Sequence, residues 1–231
     1  ALTLERIRAG GDTQTIVELH VQLANLYRQL GKGQQAHQCL EQALALEPDH
    51  LEALRDYAEL SCASENWDSA ANAYIRIARI SRDHDELKRI FLALGDIYES
   101  KTPDSKRAEA AYRRVLRLHP NDIGAMEKLA RVYLNEGNMA QAIETLSLLV
   151  DSDLDPEQNR NHRLRLAQAY ENDGKLRYAE QTLERARKHT PADIVVIECL
   201  ANFYERQGAT SAHAMHLNRA TDDFRHAIRN D

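Results

Sequence analysis

Residues 23–32, LANLYRQLGK, return in paraphrase along the chain, and this recurrence limits the fold more than any other feature. LGDIYESK stands at 94–101, LARVYLNEGN at 129–138, LAQAYENDGK at 166–175 and LANFYERQGA at 200–209. Taking the tyrosine as a ruler gives Tyr27, Ser61 in its place, Tyr98, Tyr133, Tyr170 and Tyr204, at steps of 34, 37, 35, 37 and 34 residues. A period of this size marks supersecondary units that stack on one another, since one unit cannot bury its own apolar face.

The positions around the ruler show what each unit is. Four before it stands a large residue (Leu23, Tyr57, Leu94, Leu129, Leu166, Leu200), and three before it a small one (Ala24, Ala58, Gly95, Ala130, Ala167, Ala201). A large side chain beside a small one on a helical face lets a second helix approach closely. That second helix carries Ala36, Ala70, Ala108, Ala142 or Ala179, then Leu40, Tyr74, Tyr112, Leu146 or Leu183 four residues later. Three further on come Ala43, Ile77, Val115, Leu149 or Ala186, completing an amphipathic stripe. Gly31, Gly137, Gly174 and Gly208 fall where the first helix ends in a left-handed turn, and Pro48, Pro120 and Pro191 where the second stops.

Large, small, Tyr, Gly, Ala, large, apolar, Pro at these offsets resembles the tetratricopeptide repeat family over nearly the whole chain. The resemblance implies an all-α fold, a right-handed superhelical solenoid of antiparallel helix hairpins. The expected organisation is one solenoid domain. It has a lead-in at 1–16, repeats at 17–50, 51–84, 88–122, 123–156 and 160–193, and a sixth at 194–227 whose second helix runs on as a C-terminal cap. Unit 2 departs from the pattern at Ser61 and Arg82, unit 3 by an extra residue in ESKTPDSK, and unit 6 at His213. The lead-in ALTLERIRA reads as the tail of a preceding repeat, and the chain as a piece of a longer one.

Charge and cysteines bear on partners. A net charge of −6 argues against nucleic acid, whose phosphates demand a clustered excess of Lys and Arg. Cys39, Cys62 and Cys199 have unrelated spacings, so free thiols in a reducing compartment such as the cytoplasm are expected. No run of about 18 apolar residues occurs, so no membrane span is expected. Asp151, Asp153 and Asp155 alternate like the start of a calcium loop, but Pro156 holds the place of its glycine and His162 that of its bidentate glutamate. His213 and His216 lie one turn apart without a completing ligand. GKGQQ at 31–35 lacks the spacing of a phosphate loop. No cofactor, metal or catalytic site is expected, and the chain reads as a non-enzyme.

In the tetratricopeptide family the first helices line a concave groove that holds a peptide or a partner's helix. Two before the ruler, that implies groove positions at Asn25, Glu59, Asp96, Arg131, Gln168 and Asn202, all polar. Six before it, the row alternates as Val21, Arg55, Leu92, Glu127, Leu164 and Glu198. Arg28, Arg55 and Arg89 gather early, and Glu127, Glu171, Glu198 and Glu205 late, which suits a ligand acidic at one end and basic at the other. Family members that clamp a chaperone's C-terminal carboxylates use Lys and Asn, Asn, then Lys and Arg. Here those places hold Val21 and Asn25, Asp56, and Arg89 and Ala93, so that ligand is disfavoured. The expected function is a non-catalytic scaffold binding a protein or peptide segment. The alternatives are an assembly subunit packing through end or convex faces in an oligomer, and the accessory region of a larger enzyme.

Overall fold

The computed structural model describes residues 12–152, 155–191, 193–208 and 215. These residues hold eleven α-helices and no strand. They form two compact units meeting in sequence at Asn121 and Asp122. The first contains α1 (Thr13–Gln29), α2 (Gly33–Leu46), α3 (Leu51–Ala63), α4 (Trp67–Ile80), α5 (His84–Ser100) and α6 (Ser105–Leu118). The second contains α7 (Ile123–Asn135), α8 (Met139–Val150), α9 (Pro156–Asn172), α10 (Leu176–His189) and α11 (Ile194–Arg206). Within each unit every helix packs on its sequence neighbour, so the helix pairs follow one another in series, as a solenoid of hairpins requires.

The repeat positions are the interior. The small residue three before the ruler is buried in five helices and half-buried at Ala201, and Ala36, Ala70, Ala108, Ala142 and Ala179 are all closed off. Tyr112, Tyr133, Leu40 and Leu146 are among the largest fully buried side chains. In the second unit Ala167, Ala179, Leu183, Leu200, Phe203 and Tyr204 make one apolar cluster. A Cβ on Gly95 would meet the Tyr112 ring at 2.2 Å, so the small position there has shrunk to nothing to admit an aromatic ring.

The turns follow from the same register. The ruler residue's carbonyl accepts the amide of Lys32, Asn66, Asp104, Asn138 or Lys175, closing the first-to-second turn of all five hairpins. Gly31, Gly137 and Gly174 take positive φ in these turns, Gly208 does so past the end of α11, and in unit 2 Glu65 does so at 57°. Every first helix starts on a side-chain cap: Asp12, His50, Asp83, Asp122, Asp155 and Asp193 each accept a backbone amide of the first turn.

First helices alternate in length. α1, α5 and α9 have 17 residues; α3, α7 and α11 have 13. Residues 84–87 and 156–159, placed between repeats or at their ends by the sequence alignment, are the opening turns of α5 and α9, and 13–16 that of α1. Turn chemistry explains the difference. Pro48, Pro120 and Pro191 stand three residues ahead of the short helices and disfavour helix at the residue before them, whereas Ser81, Arg82 and Asp83 carry no proline. Pro156 is itself the first residue of α9, where its fixed φ favours helix, and Asp155 caps it. The calcium-like acidic run therefore ends in a helix cap. The expected terminal cap, His213, His216 and the first 11 residues lie outside the described residues.

Candidate functional site

The outward row of the first helices is built by helical phase. One before the ruler, Ile97, Val132, Ala169 and Phe203 are buried; two before it, Glu59, Asp96, Arg131, Gln168 and Asn202 are exposed and Asn25 half-buried. One step of 100° turns the chain from interior to solvent. Six before the ruler, Arg55 and Glu198 are exposed and Glu127 half-buried, whereas Val21 is buried and Leu92 and Leu164 half-buried. The charged members belong to the short helices and the apolar ones to the long helices.

In the first unit the structure gathers five of the expected residues. Arg28, one helical turn from Asn25 on α1, reaches Asp56 at 3.4 Å and Glu59 at 3.2 Å on α3. Burial raises the Asp56 carboxyl despite Arg28. Arg55 donates from Nε to Glu86 Oε1 on α5 at 2.6 Å, and Ser81 Oγ donates to Glu86 Oε2 at 2.5 Å. The Arg55 hydrogen bond holds the Glu86 carboxyl below its ordinary range against the opposing effect of burial. Arg55, Glu59 and Arg89 line a cleft of about 280 Å³ floored by Ile77, Ile90 and Ala93. Asp96 stands apart, turned to its own hairpin: Tyr112 OH lies 2.9 Å from Asp96 Oδ1 and 2.8 Å from Glu99 Oε2.

In the second unit Gln168 and Asn202 share a cleft of about 220 Å³ with Leu164, Cys199 and Arg206. Arg206 on α11 grips Glu171 on α9 with two bonds of 2.8 Å. Arg160 joins Asp193 at 2.6 Å, and although burial opposes ionisation of Asp193, this pair and the amides of Val195 and Val196 bring its carboxyl down. Arg131 is exposed one helical turn beyond Glu127 on α7. Glu127 lies 3.2 Å from Nε2 of buried His162 without the alignment of a hydrogen bond, so both ring nitrogens are unpartnered, and burial lowers the imidazole's affinity for a proton.

Successive first helices are thus laced by ion pairs 28 to 35 residues apart in sequence. Asp56, Glu86, Ser81, Arg160, Asp193 and Arg206 carry this lacing beside the residues expected from family positions. Opposite charges about one period apart are their signal, because residues separated by one unit face each other across adjacent first helices. Three of the early arginines and late glutamates are accordingly engaged: Arg28 and Arg55 with carboxylates, Glu171 with an arginine. Cys39, Cys62 and Cys199 are free thiols, and burial raises the thiol pKa of Cys39 and Cys199. Among the described residues no three His, Cys, Asp or Glu converge on a metal position, and no helix is long and apolar enough to cross a membrane.

A family model for the tetratricopeptide repeat matches residues 27–90 and 104–160. The chain belongs to the tetratricopeptide repeat family. Comparison with curated proteins gave no match. Among solved structures, YrrB, described as a TPR protein with an unusual peptide-binding site, is 17% identical with a TM-score of 0.55, over 81% of this chain and 97% of its own. MamA from Desulfovibrio magneticus RS-1 is 19% identical with a TM-score of 0.52, over 76% and 95%. A chain of Naa15/Naa10 bound to HypK-THB is 17% identical with a TM-score of 0.68, over 94% of this chain but 36% of its own. At such identities the likeness is one of fold, and it is a tetratricopeptide fold that all three share with this chain. The family is one of protein-interaction repeats.

Proposed function

We propose that this tetratricopeptide protein is a non-catalytic scaffold that holds a segment of another protein against the outward face of its first helices. One observation carries the reading: the polar row at Glu59, Asp96, Arg131, Gln168 and Asn202 stays exposed, with Asn25 half-buried, while its helical neighbours one residue on are buried in four of six units. A main chain needs donors and acceptors along its length, and side chains need recesses; the clefts beside Glu59 and beside Gln168 and Asn202 provide both. Because the ion pairs between first helices neutralise Arg28, Arg55 and Glu171 in place, the ligand is held by hydrogen bonds and apolar anchors more than by net charge. The peptide-binding site named for YrrB is consistent with this use of the fold.

The test is affinity capture with the purified chain and with the double variant Asn25→Ala, Arg131→Ala, followed by titration of the captured segment. The variant is expected to lose capture while keeping the parent's helical content and melting temperature. Equal capture by both proteins sinks the reading. A second reading, an assembly subunit packing through its second helices, is favoured by Leu148, Leu176 and Tyr178, which are exposed on α8 and α10. It requires a solution mass that rises with concentration and falls on replacing Leu148 and Tyr178 by serine.

A further inference from the structure

The chain supplies its own control for one junction. In unit 6 the ruler Tyr204 reaches back to the preceding second helix and donates its hydroxyl to Glu180 at 2.7 Å. The same two positions at the junction of units 1 and 2 hold Ser61 and His37, also 24 residues apart, with Ser61 Oγ 3.5 Å from His37 Nε2. A phenol ring and a carboxylate have been exchanged for a hydroxyl and an imidazole. The imidazole fills only part of the space, lying against Tyr57 with ring centres 4.4 Å apart, and its Nδ1 is 3.4 Å from Glu41 Oε1.

Beside it opens a cavity of about 660 Å³ that none of the ten expected groove residues lines. It runs from α2 to the end of α3 and the turn that follows. That turn is where Glu65 takes φ 57°, the one left-handed non-glycine residue among those described, against glycine after four other first helices. Two departures from the chain's own repeat, the lost ring and the lost glycine, thus meet at one place. The lining holds a single carboxylate and no lysine or arginine. Leu60 and Ala63 offer an apolar strip; Glu41 and the carboxamides of Gln34 and Gln38 offer acceptor oxygens, while the Asn66 oxygen already caps α4 by accepting from the Ser69 amide.

We propose that this cavity receives an arginine side chain of a partner protein. A guanidinium group stacks on an imidazole face, donates to the Glu41 carboxylate and to carboxamide oxygens in one plane, and lays its methylenes along Leu60 and Ala63. A lysine lacks the planar fork that meets several acceptors at once, an acidic side chain faces the Glu41 carboxylate with no lysine or arginine in the lining, and an apolar one leaves that carboxylate unpaired. The site is independent of the first-helix face, so one partner spanning both, or two partners, can be held.

The probe is Nα-acetyl-arginine amide, titrated into the isotopically labelled full chain and followed by nuclear magnetic resonance, with Nα-acetyl-lysine amide and Nα-acetyl-glutamate amide alongside. Saturable shifts are expected at the Gln34, Gln38 and Asn66 side-chain amides and the Ala63 methyl, strongest for arginine and absent for glutamate. Glu41→Gln is expected to weaken arginine binding about ten-fold, the worth of one charge-assisted contact. Glu47→Gln, outside the cavity, leaves it unchanged. Glu41 is exposed, so the variant keeps its fold, which the unperturbed spectrum verifies. No saturable shift, equal shifts from the glutamate probe, or equal affinity in Glu41→Gln overturns the proposal. Because no groove variant enters the experiment, its failure leaves the proposal for the first-helix face standing.

Discussion

The small position three before the ruler is a helix-contact position, and Gly95 takes it to its limit. Helix propensity alone predicts that Gly95→Ala stabilises α5 by about 1 kcal/mol. Packing predicts the reverse, because the new Cβ falls 2.2 Å from the Tyr112 ring, which is fully buried and tied at its hydroxyl to Asp96 and Glu99. Overpacking costs about 1–3 kcal/mol, and the ring has no free direction in which to yield, so packing wins. Gly95→Ala is expected to lower the urea midpoint without changing the slope; a raised midpoint would show that Tyr112 moves. Sequence makes the smallness at 95 visible but not its reason, since glycine there reads as a variant of alanine until the tyrosine above it is seen.

Between elements, the working contacts are those from one first helix to the next. Glu86 opens α5, faces Arg55 on α3 and is nearly buried, with Ser81 as its second partner. Its folded carboxyl is held below the ordinary value of 4.5, mainly by the Arg55 hydrogen bond. The sign follows: the pair stabilises the fold above the ordinary range and is lost as pH falls through the depressed value. Glu86→Gln is expected to cost about 1 kcal/mol at pH 7, discounted because Arg55 is half-exposed, with the gap to the parent closing on acidification. Melting curves at several pH values read it directly, and a gap that widens toward acid contradicts the pairing. The same lacing accounts for what family positions alone do not reveal. Arg28, Arg55 and Glu171 read from sequence as charges waiting for a ligand. Their partners lie 28 to 35 residues away, and only the register between adjacent helices selects Asp56, Glu86 and Arg206 from the carboxylates and cations nearby.

At the scale of the molecule, burial comes from neighbour on neighbour, so damage should stay near its source. Tyr133 is fully buried in α7, and Tyr133→Ala is expected to cost about 3–5 kcal/mol. Amide hydrogen exchange should accelerate in α7, α8 and α9 while α1 to α3 keep the parent's protection; uniform acceleration along the chain would point to one shared core instead. A second periodicity runs above the first: the ruler recurs every 71 or 72 residues when alternate units are compared, and long first helices alternate with short ones in step with it. Apolar Val21, Leu92 and Leu164 against charged Arg55, Glu127 and Glu198 is the sequence trace of that alternation. The sequence by itself determined the hairpins, their turns and which face of each helix is buried, because these depend on spacings within about 35 residues, where helical phase and a few glycines and prolines decide. Only the tertiary structure decided the ion pairs that engage the expected groove charges and the cavity beside His37. Each of those depends on how one element lies against another, and side-chain reach across that gap leaves no periodic mark.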